Sequence, residues 1–300
     1  MILQQDNPKK ILVLGAAGML GSAVFRYFYN DLGFETSGTV RSPSNLLHFS
    51  EAQRSNLICN VDIQSQGELI SLFSEIRPEV VINCVGVIKQ LSAAKDHVTS
   101  IGINAYFPHR LAQLCRLVDA RLIHLSTDCV FSGKKGLYSE EDFADADDLY
   151  GRSKLLGEVD YPNAITLRTS IIGHELASAR SLIDWFLSQE GSIKGYKKAV
   201  FSGLPTVEIA RVIRDFVLPN RDLRGLYHLS AAPINKYDLL CRVASVYGKH
   251  IRIAPDNSVN IDRSLNSDRF QTATGFNPPN WDTLIARMHE TYHENEISNV

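Results

Sequence analysis

The sequence lacks the features that would tie it to a membrane, a metal or an oxidising compartment. No run of eighteen apolar residues occurs, so no segment reads as a transmembrane helix, and the opening MILQQDNPKK is too weakly apolar for a signal peptide. The chain is expected to stay in the cytoplasm. Its five cysteines, Cys59, Cys84, Cys115, Cys129 and Cys241, are scattered, with no C-x-x-C and no Cys/His ligand spacing. That argues against a zinc site and for reduced thiols: four read as buried core residues, and Cys129 is set apart by its position. An excess of charge is missing too. With 31 Lys+Arg against 33 Asp+Glu, a formal net charge of −2 and no basic stretch, neither nucleic acid nor an anionic membrane is an expected partner. There is no internal repeat, low-complexity tract or long linker. What remains is ordinary globular material, 44% hydrophobic over 300 residues, enough for one large domain with an appendage or for two small ones.

Ile11 to Leu14 is a short apolar run followed at once by Gly15-Ala-Ala-Gly18-Met-Leu-Gly21, and Ala23 to Asn30 then reads as a helix. Strand, glycine turn and helix together bring a pyrophosphate against backbone N–H groups, which makes Gly15, Ala17, Gly18, Met19 and Leu20 cofactor-binding candidates. A second strand, Phe34 to Val40, ends in Arg41-Ser42. An acidic residue there would grip the ribose hydroxyls of NADH; an arginine suits a 2′-phosphate, so NADPH is favoured, with NADH still open. A third strand, Leu57 to Val61, closes on Asp62-Ile63, where a carboxylate could meet an adenine amino group.

Helix (Gln66 to Ile76), strand (Val80 to Val85), helix (Val98 to Val118) and strand (Arg121 to Leu125) follow. Buried, non-alternating strands separated by helices imply an α/β fold with a doubly wound parallel sheet of the Rossmann type. Gly15, Arg41, Asp62, the stretch Asn83, Cys84, Val85 and Gly86, and Ser126-Thr127 all fall at strand ends, so separate parts of the chain point at one crevice. The expected division is a dinucleotide-binding domain over residues 1–170, with segments near 203–231 returning to it, and a smaller α/β substrate-binding domain over 171–300.

The centre of the chain is Leu122 to Glu158, which carries Ser126-Thr127, an acidic loop, and Tyr150 four residues before Lys154 on a predicted helix. At 100° per residue Tyr150 and Lys154 lie on one face, while Leu149, Leu155, Leu156 and Val159 form an arc expected to pack on the sheet. An ammonium about 4 Å from a phenol, at an effective dielectric of about 20, favours the phenolate by roughly 4 kcal/mol, or about three pKa units. Such a pair makes a general acid/base for neutral pH. The carboxylates of the acidic loop, Glu140 to Asp148, read as a solvated approach to that helix, with Asp147 and Asp148 suiting its positive end, and no metal site is expected.

With Gly-x-x-Gly-x-x-Gly, a hydroxyl after the fifth strand and Tyr-x-x-x-Lys assembled, the chain resembles an extended short-chain dehydrogenase/reductase acting on nucleotide sugars. More narrowly it is similar to the dTDP-4-dehydrorhamnose reductase group, through Ser126-Thr-Asp-Cys-Val-Phe-Ser-Gly133, Tyr150-Gly-Arg-Ser-Lys-Leu-Leu-Gly-Glu158 and Leu167-Arg-Thr-Ser170. The echo continues in Gly225-Leu-Tyr-His228 and Leu265-Asn-Ser-Asp-Arg-Phe270. The resemblance implies Tyr150 as proton donor to a carbonyl oxygen, Lys154 as the group that lowers its pKa and holds the nicotinamide ribose, and Thr127 as a second hydrogen-bond partner of that oxygen. It also implies Asn104 as a support for a proton relay. The implied activity is NADPH-dependent reduction of a nucleotide-diphospho-4-keto-6-deoxysugar, in surface-polysaccharide or deoxysugar biosynthesis, by a protein that could form a homodimer.

Two departures stand out. The reductase pattern has Tyr after Ser-Thr-Asp and Trp after Leu-Arg-Thr-Ser; here Cys129 and Ile171 occupy those places, so the sugar pocket must differ in shape. Related dehydratases carry Glu at the position of Cys129, and a thiol is a poor replacement, which disfavours dehydration. Lys89, Gln90, Asp128, Cys129 and Arg263 are further candidates to face the sugar or its diphosphate. Two alternatives use the same fold: an epimerase that retains NAD, and a non-catalytic subunit that regulates a partner enzyme.

Overall fold

The structure is a computed structural model that describes residues 8–87 and 96–298. Seven parallel strands form one sheet: β1 (Lys9–Leu14), β2 (Phe34–Val40), β3 (Leu57–Cys59), β4 (Val80–Asn83), β5 (Arg121–Thr127), β6 (Ala164–Thr169) and β10 (Gly225–His228). Their order is β10-β6-β5-β4-β1-β2-β3, with the reversal beside β1 that opens a crevice at the strands' carboxyl ends. Side chains alternate across β1. Ile11 and Val13 enter one core with Val24 and Phe25 of α1 (Met19–Tyr29), and Leu12 and Leu14 enter another with Leu72 of α3 (Gln66–Ile76) and Leu111 of α5 (Phe107–Leu117). All four strand residues are fully buried. Each such side chain contributes about 1.5–3 kcal/mol, which is why both faces of these strands read as apolar in sequence.

A second sheet of three strands, β11 (Ile234–Asn235), β8 (Ser192–Phe201) and β12 (Arg252–Asp262), lies in the C-terminal half. β8 pairs parallel with β12 and antiparallel with β11. Two-residue strands β7 (Ile171–Ile172) and β9 (Leu204–Pro205) form a small third pair. The remaining helices are α2 (Glu51–Arg54), α4 (His97–Ser100), α6 (Leu149–Leu156), α7 (Leu182–Ser188), α8 (Thr206–Val212), α9 (Lys236–Val246), α10 (Asp268–Thr274) and α11 (Trp281–Ser298). Among the described residues no helix is long and apolar enough to cross a membrane.

Several boundaries differ from the sequence reading for local reasons. The third strand stops at Cys59 rather than Val61 because Asn60 turns to φ 61°. The single helix expected over Val98 to Val118 is interrupted by a π-helical turn at Ile101–Tyr106. The strand expected to end at Leu125 runs on to Thr127. Of the four cysteines expected in the core, Cys115 is fully buried, whereas Cys59, Cys84 and Cys241 are only partly so.

The carboxyl edge is bound together by one polar network. Glu158 accepts Nε and Nη2 of Arg168 at 2.7 and 2.6 Å, and the Ser126 hydroxyl at 2.7 Å. Arg168 Nη1 donates to His228 Nε2 at 3.2 Å, while His228 Nδ1 donates to the carbonyls of Tyr138 and Asn266 at 3.0 and 3.2 Å. These bonds join β5, β6, β10 and the acidic loop, and they require a neutral imidazole. Burial, and then the Arg168 charge, push the His228 pKa down to about 4. Because an exposed histidine titrates near ~6.5, acidification below that value protonates the unfolded chain first. Stability is therefore lost as pH falls from about 6.5 to about 4, by at most roughly 3 kcal/mol from this residue. Urea unfolding at pH 7.5 and pH 4.5 is expected to show a larger loss in the native protein than in His228→Gln; equal losses would remove His228 from the account.

Candidate active site

α6 approaches the end of β5 through small residues. A Cβ on Gly151 would stand 2.3 Å from the Cys129 carbonyl oxygen, and one on Gly157 would stand 1.9 Å from that of Asn104. Asp148 caps the helix by accepting the Gly151 N–H at 2.7 Å. The inward face therefore holds Tyr150, Ser153, Lys154 and Gly157. This corrects the apolar arc expected to pack on the sheet: Val159 is buried, but Leu156 is 64% exposed. Leu155 is part-buried against the small cluster of Val130, Phe131, Tyr138 and Leu265.

Lys154 is 5% exposed and its Nζ donates to the Leu125 carbonyl at 2.7 Å. Burial pushes its pKa down to about 8, with Glu158 and Cys84 acting the other way, so it remains an ammonium at neutral pH. Thr127, at the last position of β5, accepts the Cys129 N–H at 3.1 Å and donates to Asp128 at 3.2 Å. Its hydroxyl also lies near the Tyr150 phenol, where it acts to lower the phenol's pKa. The expectation that Lys154 would bring Tyr150 toward neutrality is not met: the phenol is raised above its ordinary value, first by burial and then by the neighbouring Cys129, with Thr127 opposing. Tyr150 is thus a neutral proton donor, not a phenolate.

The other expected site residues gather round this group. Asp128 is buried, which raises its pKa, while Arg263 and the donors at Thr127, Cys129 and Ser170 oppose the rise. Burial pushes the Cys129 thiol up to about 12, so it stays protonated. Arg263 is fixed by donating from Nε to the Phe131 carbonyl at 2.8 Å. Gly15 adopts φ +81° and lies against Val85 and the Cys84 main chain, and the Cys84 thiol feels the Lys154 charge.

The chain matches the family described as RmlD substrate binding domain over residues 9–294. It belongs to that family. Among relatives, dTDP-4-dehydrorhamnose reductase of Aggregatibacter actinomycetemcomitans is 24% identical over 93% of this chain and 98% of its own length. Methionine adenosyltransferase 2 subunit beta of Danio rerio is 27% identical over 80% of this chain and 74% of its own. In three dimensions, dTDP-4-dehydrorhamnose reductase from Bacillus anthracis in complex with NADP superposes with a TM-score of 0.77 at 19% identity, covering 94% of this chain and 99% of that one. The fold is that of an extended short-chain dehydrogenase/reductase.

In this RmlD-family chain the residues expected around the dinucleotide are variously engaged. Gly18 opens α1 with no side-chain cap, so the first-turn N–H groups of Met19 and Leu20 have no capping side chain. A Cβ on Gly21 would stand 2.0 Å from the Gly15 carbonyl oxygen, which fixes that glycine by close packing. Ala17 is partly buried and Gly86 exposed; Arg41 is exposed and makes no hydrogen bond or ion pair among the described residues. Asp62 is exposed and uses one oxygen to accept the Gln64 N–H at 2.9 Å, and Ile63 beside it is half-buried. Lys89 and Gln90 lie outside the described residues. Much of the acidic loop is tied down: Glu140 accepts the His228 N–H, and Asp145 accepts the N–H and hydroxyl of Ser132.

Sequence reasoning placed Asn83 at the crevice but missed its partner His124. Asn83 Oδ1 accepts the Val85 N–H at 3.1 Å, so its Nδ2 donates to His124 Nδ1 at 3.0 Å and leaves the imidazole proton on Nε2. Burial, then Lys154, hold His124 well below its ordinary pKa, so Lys154 faces no second cation there. A histidine inside an apolar strand was the available signal.

Asn104 stands in the π-helical turn and is 1% exposed. It accepts the Val87 N–H at 2.9 Å and donates to the Val87 carbonyl at 3.1 Å and to Ser153 at 3.2 Å, clamping the segment after β4 to α6. Asn104→Ala strands the Val87 amide in a buried site, and should cost about 1–3 kcal/mol. Urea denaturation would register this; an unchanged midpoint would show that the clamp carries no stability.

Proposed function

We propose that this chain is an NADPH-dependent reductase of a nucleotide-diphospho-4-keto-6-deoxysugar, serving deoxysugar or surface-polysaccharide biosynthesis. The observation that carries the reading is the Thr127 hydroxyl near a neutral Tyr150 phenol, on the helix that also carries a buried ammonium at Lys154. A hydroxyl and a phenol converging on one point suit an oxygen that gains negative charge during reaction, and a preorganised donor is worth most where that charge appears.

The residues present fit the dinucleotide. The uncapped start of α1 offers N–H groups to a pyrophosphate, Gly15 and Gly18 allow its close approach, and Arg41, without a partner among the described residues, suits a 2′-phosphate. When bound, the reduced nicotinamide supplies a hydride to the carbonyl carbon of the sugar. Tyr150 gives its proton to the carbonyl oxygen. Its raised pKa still permits this, because an alkoxide is more basic than a phenolate. Thr127 hydrogen-bonds the same oxygen, and Lys154, anchored on Leu125, supplies positive charge behind the phenol and a donor to the ribose. Asp128, Cys129 and Arg263 line the substrate side, which we place on residues 171–300 together with this loop. Cys129, protonated, is a poor general acid/base, which disfavours dehydration.

A second reading, a non-catalytic subunit, is favoured by the similarity to methionine adenosyltransferase 2 subunit beta; epimerisation with retained NAD is disfavoured by Arg41. Optical NADPH oxidation with a panel of nucleotide 4-keto-6-deoxysugars separates them. We expect turnover with at least one sugar, and a loss of at least about 100-fold in Tyr150→Phe with NADPH affinity nearly unchanged. NADPH binding without consumption of any sugar would support the subunit, and full activity in Tyr150→Phe would remove the phenol from its role.

A further inference from the structure

Outside the site just described, α1 carries a cation that the fold leaves without a counter-charge. Arg26 is only 7% exposed. Its Nη2 donates to the His48 carbonyl and its guanidinium lies 5.3 Å from the Phe49 ring centre, yet Nε is buried with no hydrogen-bond partner. No carboxylate pairs with it among the described residues. Withdrawing an ion from water is costly even after relaxation, and a carbonyl and a ring offset only part of that cost. The same side chain lines a cavity of about 220 Å³ between α1, the start of α8 and the far half of α11.

The other walls say what the cavity could hold. Thr206, Thr291 and Asn295 give it hydroxyl and amide groups, and Met19 closes it toward the glycine turn. Two titratable side chains on the wall are already engaged. His174 is bonded to Asp184 at 2.5 Å and to the Tyr247 hydroxyl at 2.9 Å. Glu175 spends one oxygen on the Ser178 hydroxyl and the N–H groups of Arg180 and Ser181. Its carboxylate charge is therefore met by donors on its own loop.

We propose that this cavity is an anion site in which Arg26 binds the phosphate or carboxylate group of a small metabolite, separate from the glycine turn. A planar guanidinium presents paired donors to either oxyanion, and a fixed one in a confined space loses little entropy on binding.

Thermal unfolding in inorganic phosphate, at ionic strength matched with chloride and with acetate as the carboxylate probe, tests this with and without saturating NADPH. A saturable rise in Tm of about 2 °C or more is expected with at least one of the two anions, and it should persist when NADPH fills the glycine turn. A response to phosphate alone identifies a phosphorylated ligand, and a response to acetate alone a carboxylate. Arg26→Met should abolish the response, and in anion-free buffer it should be at least as stable as the native chain; a purely structural arginine would instead be missed there. Thr291→Glu, which puts a carboxylate on the cavity wall, should raise Tm in anion-free buffer and suppress the response. If Arg26→Met does not fold, this second variant decides. No rise with either anion, or a rise that survives in Arg26→Met or, failing that, in Thr291→Glu, would overturn the proposal.

Discussion

The arrangement rests on one buried ammonium. Lys154 reaches from α6 to a main-chain carbonyl of β5, and it can do so only because Gly151 and Gly157 let the helix come within contact of the carbonyls of Cys129 and Asn104. A charge at 5% exposure is costly, and that cost is what brings its pKa down to about 8. The carbonyl bond, Glu158 just past the end of α6 and a nearby histidine kept neutral make the charge tolerable. With α6 held there, Tyr150 falls beside Thr127 without any further adjustment.

Around this lies a rigid polar frame. Glu158, Arg168, Ser126 and His228 carry several of the motif residues that mark the family, and their contacts are with each other and with main chain. Their role is to fix where β5, β6 and β10 end, and so where the catalytic candidates stand. Asn104 performs the same service on the other side of α6, in a turn whose extra residue per turn gives it room. Motif identity in this chain therefore mixes two physical roles, and burial with hydrogen-bond partners separates them.

The parallel sheet was legible because its strands are buried on both faces and read as unbroken apolar runs, as β1, β4 and β5 do. The glycine turn was legible because Gly15 and Gly21 are required by a positive φ and by close packing. Long surface strands were legible only in part, near Ala199 in β8 and near Ile253 in β12. β12, with Asp256, Asn257 and Ser258 in its middle, and β8, with Lys194, Lys197 and Lys198, are half solvated and carry little apolar signal. The π-helical turns at Ile101–Tyr106 and Ile213–Val217 could not be read, since one extra residue scarcely disturbs a helical hydrophobic pattern. The inward face of α6 was misjudged because glycine and serine, rather than leucine, make the contact. The electrostatics of Tyr150 reversed because the pair was weighed as though solvated, while burial outweighs the neighbour.

The central claim is that Lys154 is an ammonium held on the Leu125 carbonyl, whose acidity comes from its burial. The most direct measurement is an NMR titration of the Lys154 ε-methylene resonances in isotopically labelled protein without cofactor, assigned by comparison with Lys154→Arg. A midpoint near pH 8 is predicted, well below the ~10.4 of a solvated lysine. A midpoint at the solvated value would contradict it, and would mean that α6 does not hold the amine beneath the sheet edge.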